Sequence, residues 1–311
     1  MSVRALGLDT SNYTTSAAVF DGRDGYNAGR LLEVHPGELG LRQSDALFQH
    51  VKHLPGRFAE LRAEGWLDGL SAVGASTRPR AVEGSYMPCF LAGEGQGRAL
   101  ADVLGVPFYA VSHQQGHIAA AAWSAGRLEL LDRPMLAWHL SGGTTELLYV
   151  EPEGFNVRAE KVGGTSDISA GQLIDRTGVL LGLDFPAGRA LDELASESGP
   201  VSGFPVKLNG LTFSLSGMEN KVKALSEQGR LPAEIARFAL ETAASVVRRA
   251  TDAAKSRWPG LPVLCSGGVA SNRLLRAAMP DAVFAQPRYS TDNAMGAAIL
   301  ARRALEREGR V

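Results

Sequence analysis

Two histidines, His113 and His117, stand four positions apart at the start of an alanine-rich segment. If that segment is helical, both imidazoles lie on one face about one turn apart, a spacing that suits two ligands of one metal ion. Histidines that only cap or pack a helix show the same spacing, so the pair alone leaves both interpretations open. Gln114 stands where a zinc protease of the HExxH type needs a general-base glutamate, which argues against that hydrolytic mechanism.

A carboxylate near the C-terminus, Asp292, is a candidate third ligand. It lies in a polar string just before the final predicted helix. Ser290, Thr291 or Asp292 could cap that helix, which is the common use of such residues. Asp292 could instead supply an oxygen to a metal ion held by the two histidines, and the two roles are compatible.

Three turns rich in glycine or hydroxyl residues each follow an apolar segment, at 9–15 (DTSNYTT), 141–145 (SGGTT) and 266–268 (SGG). Glycine lets the backbone approach a ligand, and consecutive N–H groups can bind phosphate oxygens. A tight turn needs the same residues, but three such turns in one chain favour a nucleotide site. None of them matches a P-loop or a Rossmann fingerprint.

Asp167, Gly171 and Asp175 recur every four residues in a segment, 167–181, that is predicted to be helical. Such spacing places them on one helix face. Gly171 would then leave room beside two carboxylates, and a carboxylate accepts hydrogen bonds from paired ribose hydroxyls. The alternative is that Asp167 caps the helix and Asp175 is solvated.

The segments between these residues alternate in character. Strands are predicted at 4–8, 17–20, 71–76, 107–111, 135–140, 146–150 and 262–266, and helices at 43–62, 88–104, 167–181, 233–254 and from His113. The two halves of the chain each open with a strand, a turn and a second strand. This order predicts an α/β architecture with two similar halves.

Bulk properties narrow the class of protein. The 311 residues suggest two domains. Two distant cysteines, Cys89 and Cys265, argue against a disulfide scaffold and a thiolate metal site, and suit a reducing cytosol. No stretch approaches the ~20 apolar residues of a membrane span. A formal net charge of −1 gives no support for RNA binding through charge alone. We therefore expect a cytoplasmic protein without a membrane partner.

Taken in order, these segments resemble the tRNA N6-adenosine threonylcarbamoyltransferase family. The matching segments are colinear and span nearly the whole chain: 9–15, 113–117, 140–146, 167–188, 213–219, 266–272 and 291–293. The resemblance implies a two-lobed α/β nucleotide-binding fold of the actin and Hsp70 type (the ASKHA fold), with a ligand in the cleft between the lobes. We expect the lobes at 1–128 and 129–292, with a C-terminal helix at 293–311 that could return to the first lobe.

The resemblance also implies an activity, which is transfer of the threonylcarbamoyl group from threonylcarbamoyl-AMP to N6 of adenosine 37 in tRNA. One divalent ion, iron or zinc, would polarise the carbamoyl group. Partner proteins of the same pathway would help to present the tRNA, and the chain could form a homodimer or a heterodimer.

The family's site residues carry over by motif. The implied metal ligands are His113, His117 and Asp292. The implied binding residues for the adenine nucleotide or threonylcarbamoyl-AMP are His139, Leu140, Ser141, Gly142, Gly143, Asp175, Gly188, Asp192 and Asn272. The candidate catalytic residues are Asp9, Ser11 and Asp167.

The chain departs from the family pattern at several positions, and these departures indicate a divergent paralogue. A long segment at 78–95 replaces a small glycine-rich loop, and Gln115 replaces a glutamate between the histidines. Ile168 replaces the second residue of an Asp-Asp pair, and Met218-Glu219 replaces Leu-Lys, which removes a positive charge.

His139 stands where some relatives place a tyrosine that reaches the metal, so it is a candidate fourth ligand. Two alternatives to the implied activity stay open. The chain could be a carbamoyl- or phosphoryl-transferring enzyme of the same fold that acts on another acceptor, or it could be a non-catalytic partner subunit.

Overall fold

The computed structural model describes residues 3–11, 13–34 and 41–310. Its strands are β1 (Arg4–Asp9), β2 (Thr14–Phe20), β3 (Gly25–Leu31), β4 (Leu70–Arg78), β5 (Phe108–Ser112), β6 (Met135–Leu140), β7 (Thr145–Glu153), β8 (Asn156–Thr165), β9 (Leu208–Asn209), β10 (Thr212–Phe213), β11 (Val263–Ser266) and β12 (Val283–Phe284). Its α-helices are α1 (Gln43–Ala63), α2 (Phe90–Leu104), α3 (His113–Ser124), α4 (Ala170–Leu180), α5 (Gly188–Ala195), α6 (Ser216–Glu227), α7 (Pro232–Arg257), α8 (Arg273–Ala278) and α9 (Met295–Arg307).

These elements form two compact units. The first contains the described residues up to Arg133, then Glu151–Ala159 and the residues from Thr291 onward. The second contains Pro134–Val150 and Glu160–Ser290. The lobe boundaries expected from the sequence, at 128 and 292, stay a prediction.

The first unit is built on a five-stranded sheet with the order β3-β2-β1-β4-β5. β1 pairs antiparallel with β2 and parallel with β4, and β4 pairs parallel with β5. The side chains of β2 are all buried, as expected for a strand that is covered on both faces.

Helix α9 packs against β1 and β4 in this unit. The approach is close because the strands carry Gly7 and Gly74, where an added Cβ would clash with the backbone of α9 or of the residue before it. Helix α9 also crosses α3, and an added Cβ at Gly296 would clash with the carbonyl of Gly116. The absence of a side chain at Gly296 therefore lets α3 and α9 cross closely, and the absence of side chains at Gly7 and Gly74 lets α9 lie close to the sheet.

The second unit is built on a sheet with the order β12-β11-β6-β7-β8-β10-β9. β6 pairs antiparallel with β7 and parallel with β11, so the turns that follow β6 and β11 lie at the same edge. Trp138 of β6 is fully buried, and its Nε1–H donates to Thr251 Oγ1 of α7 at 2.8 Å. The α/β architecture with two sheets confirms the predicted fold class.

Three sequence predictions need correction or comment. The pattern missed the strands β3, β8, β9, β10 and β12 and the helices α5 and α6, which are short or weakly patterned. The predicted helix 167–181 begins only at Ala170, because Ser169 caps it and forms a capping box with Gln172. In the described part of the chain, no helix is both long and apolar enough to span a bilayer.

Candidate active site

Helix α3 begins at His113 because Ser112 caps it. The Ser112 hydroxyl accepts from the Gln115 N–H at 3.2 Å, and the Gln115 side chain accepts from the Ser112 N–H at 2.9 Å. This capping box satisfies donors of the first helical turn. It also places His113 in that turn with His117 one turn further on, and the ring centroids of the two histidines are 4.3 Å apart.

Asp292 reaches the same place from the segment before α9. Its Oδ1 lies 3.5 Å from His113 Nε2 and 3.4 Å from His117 Nε2, and the two Nε2 atoms are 2.9 Å apart. Asp292 does not cap α9, because the N-cap residue is Ala294 and this end has no side-chain cap hydrogen bond. The neighbouring Asn293 Oδ1 accepts from the Met295 N–H at 3.1 Å. The Asp292 carboxylate is thus directed at the two histidines.

The three donor atoms fit one metal ion. An ion bound at roughly 2.0–2.2 Å from each of two ligands, with an angle of about 90–110° between them, separates the ligand atoms by about 2.8–3.6 Å. The observed separations of 2.9, 3.4 and 3.5 Å lie in that range. In the part of the chain that the structure describes, these are the residues that form a metal-type cluster. Two imidazoles and a carboxylate suit iron or zinc.

Asp9, a predicted catalytic residue, lies behind His113 at the end of β1. Its Oδ2 is 2.8 Å from His113 Nδ1, and the carboxylate is almost fully buried. A carboxylate that accepts from Nδ1–H leaves the Nε2 lone pair of the same ring free for a metal ion. Through this contact Asp9 orients His113, which is a candidate metal ligand.

The charges in this cluster shift one another's pKa values. Burial lowers the pKa of His113, but Asp9 and Asp292 outweigh that effect and raise it to about 10. Burial raises the pKa of Asp9 and of Asp292, but their contacts with His113 outweigh it and hold both pKa values below the ordinary range. A metal ion held by His113 would therefore have to displace a proton that the imidazole otherwise keeps.

Ser11 follows Asp9 and is also buried. Its N–H donates to Asp9 Oδ1 at 3.0 Å, while its hydroxyl has no hydrogen-bond partner among the described residues. A buried hydroxyl without a partner is costly unless water or a ligand satisfies it. The segment predicted to form the first turn, 9–15, includes Asn12, which lies outside the described residues.

The glycine turn of the second unit follows β6. Ser141 N–H donates to the Thr144 carbonyl at 2.8 Å, and the Ser141 hydroxyl accepts from Thr144 N–H at 3.1 Å. A Cβ added at Gly142 or Gly143 would meet nothing within 4 Å. The turn therefore presents open backbone that a ligand could approach, next to Leu140 at the end of β6.

Gly171 does not open a ligand space beside carboxylates, which was the expectation from its spacing. A Cβ at this position would clash with the Ser141 carbonyl and the Gly142 backbone, so the space is filled by the glycine turn itself. The Ser169 hydroxyl donates to the Gly142 carbonyl at 2.5 Å and strengthens the same contact. Gly171 is required for close packing of α4 on the turn.

Asp167 lies before α4, not on it, so it does not share a helix face with Asp175. Its carboxylate accepts from the Leu215 N–H at 2.8 Å and the Ser216 N–H at 3.4 Å, and also from the Ser214 hydroxyl. Burial raises the pKa of Asp167, but these hydrogen bonds outweigh it and lower the pKa below the ordinary value. Asp167 thus holds the start of α6.

Asp175, Asp192 and Asn272, which were predicted to bind the ligand, form hydrogen bonds within the second unit. Asp175 Oδ1 accepts from the Ala187 N–H at 2.9 Å, just before Gly188. Asp192 accepts from Asn272 Nδ2 at 2.6 Å and lies 2.7 Å from Arg273 Nε. Asn272 also caps α8. The contacts of Asp192 with Asn272 and Arg273 link α5 to the start of α8.

Comparison with known proteins identifies the family. A sequence profile of the family described as tRNA N6-adenosine threonylcarbamoyltransferase matches residues 67–299. The enzyme of that name from Granulibacter bethesdensis is 34% identical, over 93% of this chain and 85% of its own length. One from Thermus thermophilus is 35% identical, over 98% of this chain and 93% of its own. This chain belongs to the tRNA N6-adenosine threonylcarbamoyltransferase family.

The fold agrees with a solved structure outside that family. The activator of 2-hydroxyisocaproyl-CoA dehydratase from Clostridium difficile, solved with bound ADPNP, is similar with a TM-score of 0.54 and 15% identity, covering 99% of this chain and 98% of that one. The likeness supports the ASKHA fold class predicted from the sequence. The predicted enzyme class, a transferase, is confirmed by the family.

Two departures from the threonylcarbamoyltransferase pattern have local explanations. Gln115 can complete the capping box as glutamate would, but its amide also donates to the Val157 carbonyl at 2.7 Å, which a carboxylate could not do. Ile168 packs against the core of the second unit. Each change removes a negative charge and adds a contact within the chain, a hydrogen bond at Gln115 and apolar packing at Ile168.

A third departure, Met218-Glu219, is also accommodated. Met218 is buried in the core, and Glu219 forms an ion pair with Arg176 of α4. The negative charge that replaces the family's lysine is therefore paired within the second unit.

The divergent segment 78–95 has an exposed part and an anchored part. Val82 and Tyr86 are largely exposed. By contrast, Thr10 Oγ1 donates to the Cys89 carbonyl at 3.0 Å and accepts from the Gly93 N–H at 3.0 Å. The Gln114 N–H donates to the Pro79 carbonyl at 3.0 Å, so the segment also contacts the first turn of α3.

His139 belongs to β6 in the second unit, where its Nδ1 lies 3.5 Å from Ser266 Oγ. Its expected role as a further metal ligand stays a prediction. Sequence reasoning missed the capping box at Ser112, although a serine three residues before glutamine at the start of an apolar run is a known signal. It also missed His50 of α1, because nothing in the sequence of that helix marks one of its histidines as linked to Ser11 and Thr15.

Proposed function

We propose that this chain transfers the threonylcarbamoyl group from threonylcarbamoyl-AMP to N6 of adenosine 37 in tRNA. In this reaction a C–N bond forms between N6 and the carbamoyl carbon, the C–O bond to AMP breaks, and the amine loses a proton. The observation that carries the proposal is the cluster of His113, His117 and Asp292, with Asp9 behind it, in a member of this family.

His113, His117 and Asp292 would hold one divalent ion, iron or zinc. Bound there, the ion would supply Lewis-acid polarisation of the carbamoyl oxygen. The contribution of this chain is to fix the ligands. Asp9 keeps the proton of His113 on Nδ1, and the close crossing of α3 and α9 keeps Asp292 within reach of both imidazoles.

The second unit would bind the adenylate. The open backbone at Gly142 and Gly143 suits phosphate oxygens. At Gly188, the start of α5, an added Cβ would meet Ile174 at 3.9 Å, which is ordinary van der Waals contact. The small apolar cavity next to Asn272, lined by side chains of α4 and α7 that include Ile174 and Val247, has room for about one water molecule and not for a base. Asp175 would contribute Oδ2, because the Ala187 N–H contacts Oδ1. Asp192, whose two oxygens already contact Asn272 and Arg273, would act by holding Asn272.

Partner proteins would help to present the tRNA. The chain has 32 basic and 33 acidic residues, whereas a protein that grips nucleic acid unaided carries a basic excess. The proposed setting is the cytoplasm, where tRNA and the proteins that process it meet.

The proposal is tested with the purified chain, its pathway partners, threonylcarbamoyl-AMP and unmodified tRNA. Nucleoside analysis by mass spectrometry is expected to show threonylcarbamoyladenosine at position 37, and His113→Ala is expected to abolish it. Full activity in His113→Ala would contradict the proposal. AMP release without a modified nucleoside would instead favour transfer to another acceptor.

A further inference from the structure

His50 lies in the middle of α1 and is fully buried. Both of its ring nitrogens contact the region where β1 leads into β2. Nδ1 lies 2.8 Å from the Thr15 hydroxyl, and Nε2 lies 2.7 Å from the Ser11 carbonyl oxygen. A buried imidazole with two short contacts to one segment is a strong restraint on that segment.

The partners determine which nitrogen carries the proton. A carbonyl oxygen can only accept, so Nε2–H of His50 must donate to Ser11. In the neutral ring Nδ1 is then an acceptor, and the Thr15 hydroxyl donates to it. Burial lowers the pKa of His50, and this favours the neutral ring that the two contacts require.

The backbone of Ser11 connects His50 to the metal-type cluster, since its N–H and its carbonyl each make one of the contacts. Its carbonyl accepts from His50, and its N–H donates to Asp9 Oδ1 at 3.0 Å. The other carboxylate oxygen, Oδ2, lies 2.8 Å from His113 Nδ1. A carboxylate whose two oxygens are both engaged has a fixed orientation, so displacement of Ser11 would loosen the contact of Asp9 with His113.

We infer that His50 is a positioning residue, which fixes the Asp9 carboxylate by holding the Ser11 carbonyl through Nε2–H and so orients His113 for the metal ion. The inference rests on the proposed function and adds to it a residue, His50, that acts on Asp9 through the backbone of Ser11. A histidine that merely fills the core would not show a preference for a donor at the Nε2 position.

Two substitutions separate these roles. In His50→Gln the side-chain amide reaches the position of Nε2 and can still donate to Ser11. In His50→Asn the shorter amide reaches only the position of Nδ1, so it can contact Thr15 but not Ser11. His53→Gln is the matched control, because His53 is a buried histidine one turn further along α1 whose Nδ1 has no hydrogen-bond partner in the described structure.

The readout is solvent exchange of the His113 Nδ1 proton, measured by NMR on metal-free protein labelled with ¹⁵N-histidine. The signal is assigned by its loss in His113→Gln. We expect His50→Asn to speed exchange by about 10-fold or more, and His50→Gln and His53→Gln to stay within about threefold of the native protein. Stability measured by denaturant unfolding corrects for global opening. If His50→Asn does not fold, His50→Met, which lacks a donor, takes its place.

Equal exchange in His50→Asn and His53→Gln would overturn the inference, and so would equal acceleration in His50→Asn and His50→Gln. A separate titration of the native protein with Co²⁺ tests the proposed metal site. Failure to bind Co²⁺ would remove the metal site while leaving the exchange result intact, so the two failures are distinguishable. With a working site, His50→Asn should weaken Co²⁺ binding by about 3–10-fold.

Discussion

The metal-type cluster of the first unit and the glycine turn of the second use their polar side chains in opposite ways. In the cluster, Asp9 holds His113 from behind, and the pKa of His113 is raised to about 10. Around the turn, Asp167 and Asp192 are hydrogen-bonded to their own chain, and the exposed groups are backbone atoms at Gly142 and Gly143. In the first region, side chains are placed where they could bind an ion. In the second, open backbone is placed where a ligand could approach.

The difference teaches that a carboxylate in a family motif is not by itself a ligand. Asp9 and Asp167 were predicted together as catalytic residues. Asp9 lies 2.8 Å from a candidate metal ligand, whereas Asp167 holds the first turn of α6. The two carboxylates differ in the group that each one contacts, and the sequence does not show which group that is.

Removal of a ligand should give the largest effect, because it leaves the ion with two protein donors. We expect His117→Ala to reduce affinity for Zn²⁺ or Co²⁺ by more than about 100-fold. Isothermal titration and metal analysis provide the measurement. His139→Ala is the comparison: an unchanged affinity would remove His139 from the ligand set, and a loss equal to that of His117→Ala would establish it as a ligand.

Two glycines of the second unit should separate packing from binding. Gly171→Ala forces a Cβ into the backbone of Ser141 and Gly142, and we expect it to lower the free energy of unfolding by about 2–3 kcal/mol. Gly143→Ala meets open space, so its unfolding free energy should change by less than about 0.5 kcal/mol. Its affinity for an adenine nucleotide should fall. Denaturant unfolding and nucleotide titration test both, and a stable Gly171→Ala would contradict the packing argument.

Asp9→Asn should weaken metal binding without removing a ligand. The amide is nearly the same size, but it has no charge to stabilise the Nδ1–H of His113. We expect affinity to fall by about 10–30-fold, within the range found for residues that support metal ligands. Asp167→Asn is the matched control, because that carboxylate lies in the second unit among hydrogen bonds from α6. Equal losses in the two variants would contradict the orienting role.

The pH dependence should differ between metal-free and metal-bound protein. The pKa of His113 is raised from 6.5 to about 10 in the folded metal-free chain. The stabilisation that this shift gives is therefore complete below about pH 6.5 and is lost as pH rises towards 10. Metal binding displaces that proton, so affinity should rise over the same pH window, by up to about 10-fold per pH unit. Unfolding and Co²⁺ titration from about pH 6.5 to 9.5 check this, and a flat profile of affinity would contradict it.

Much of the site could be predicted from sequence where the signal is local. The spacing of His113 and His117 predicted their shared helix face, and the Gly-Gly turn at 142–143 predicted open backbone after a strand. The residues alone left Asp292 as either a helix cap or a third ligand, and the resemblance was needed to favour the ligand, because no local pattern links two segments so far apart in the chain.

The failures of sequence reasoning had both local and tertiary causes. A spacing of four residues placed Asp167 on a helix, although the capping box at Ser169 and Gln172 marks the true start. Gly171 was expected to leave room for a ligand, but the turn after β6 fills that space. The strand β3 has only one buried side chain, Ala28, so it lacks the apolar alternation that predicts a strand.

The most direct test of the account is X-ray absorption spectroscopy of the purified chain after reconstitution with Zn²⁺ or Fe²⁺, together with metal analysis. The account predicts one ion per chain, imidazole scattering from two histidines, and loss of half of that scattering in His117→Gln. A spectrum without imidazole scattering, or a native chain that holds no stoichiometric ion, would contradict the claim that His113, His117 and Asp292 form a metal site.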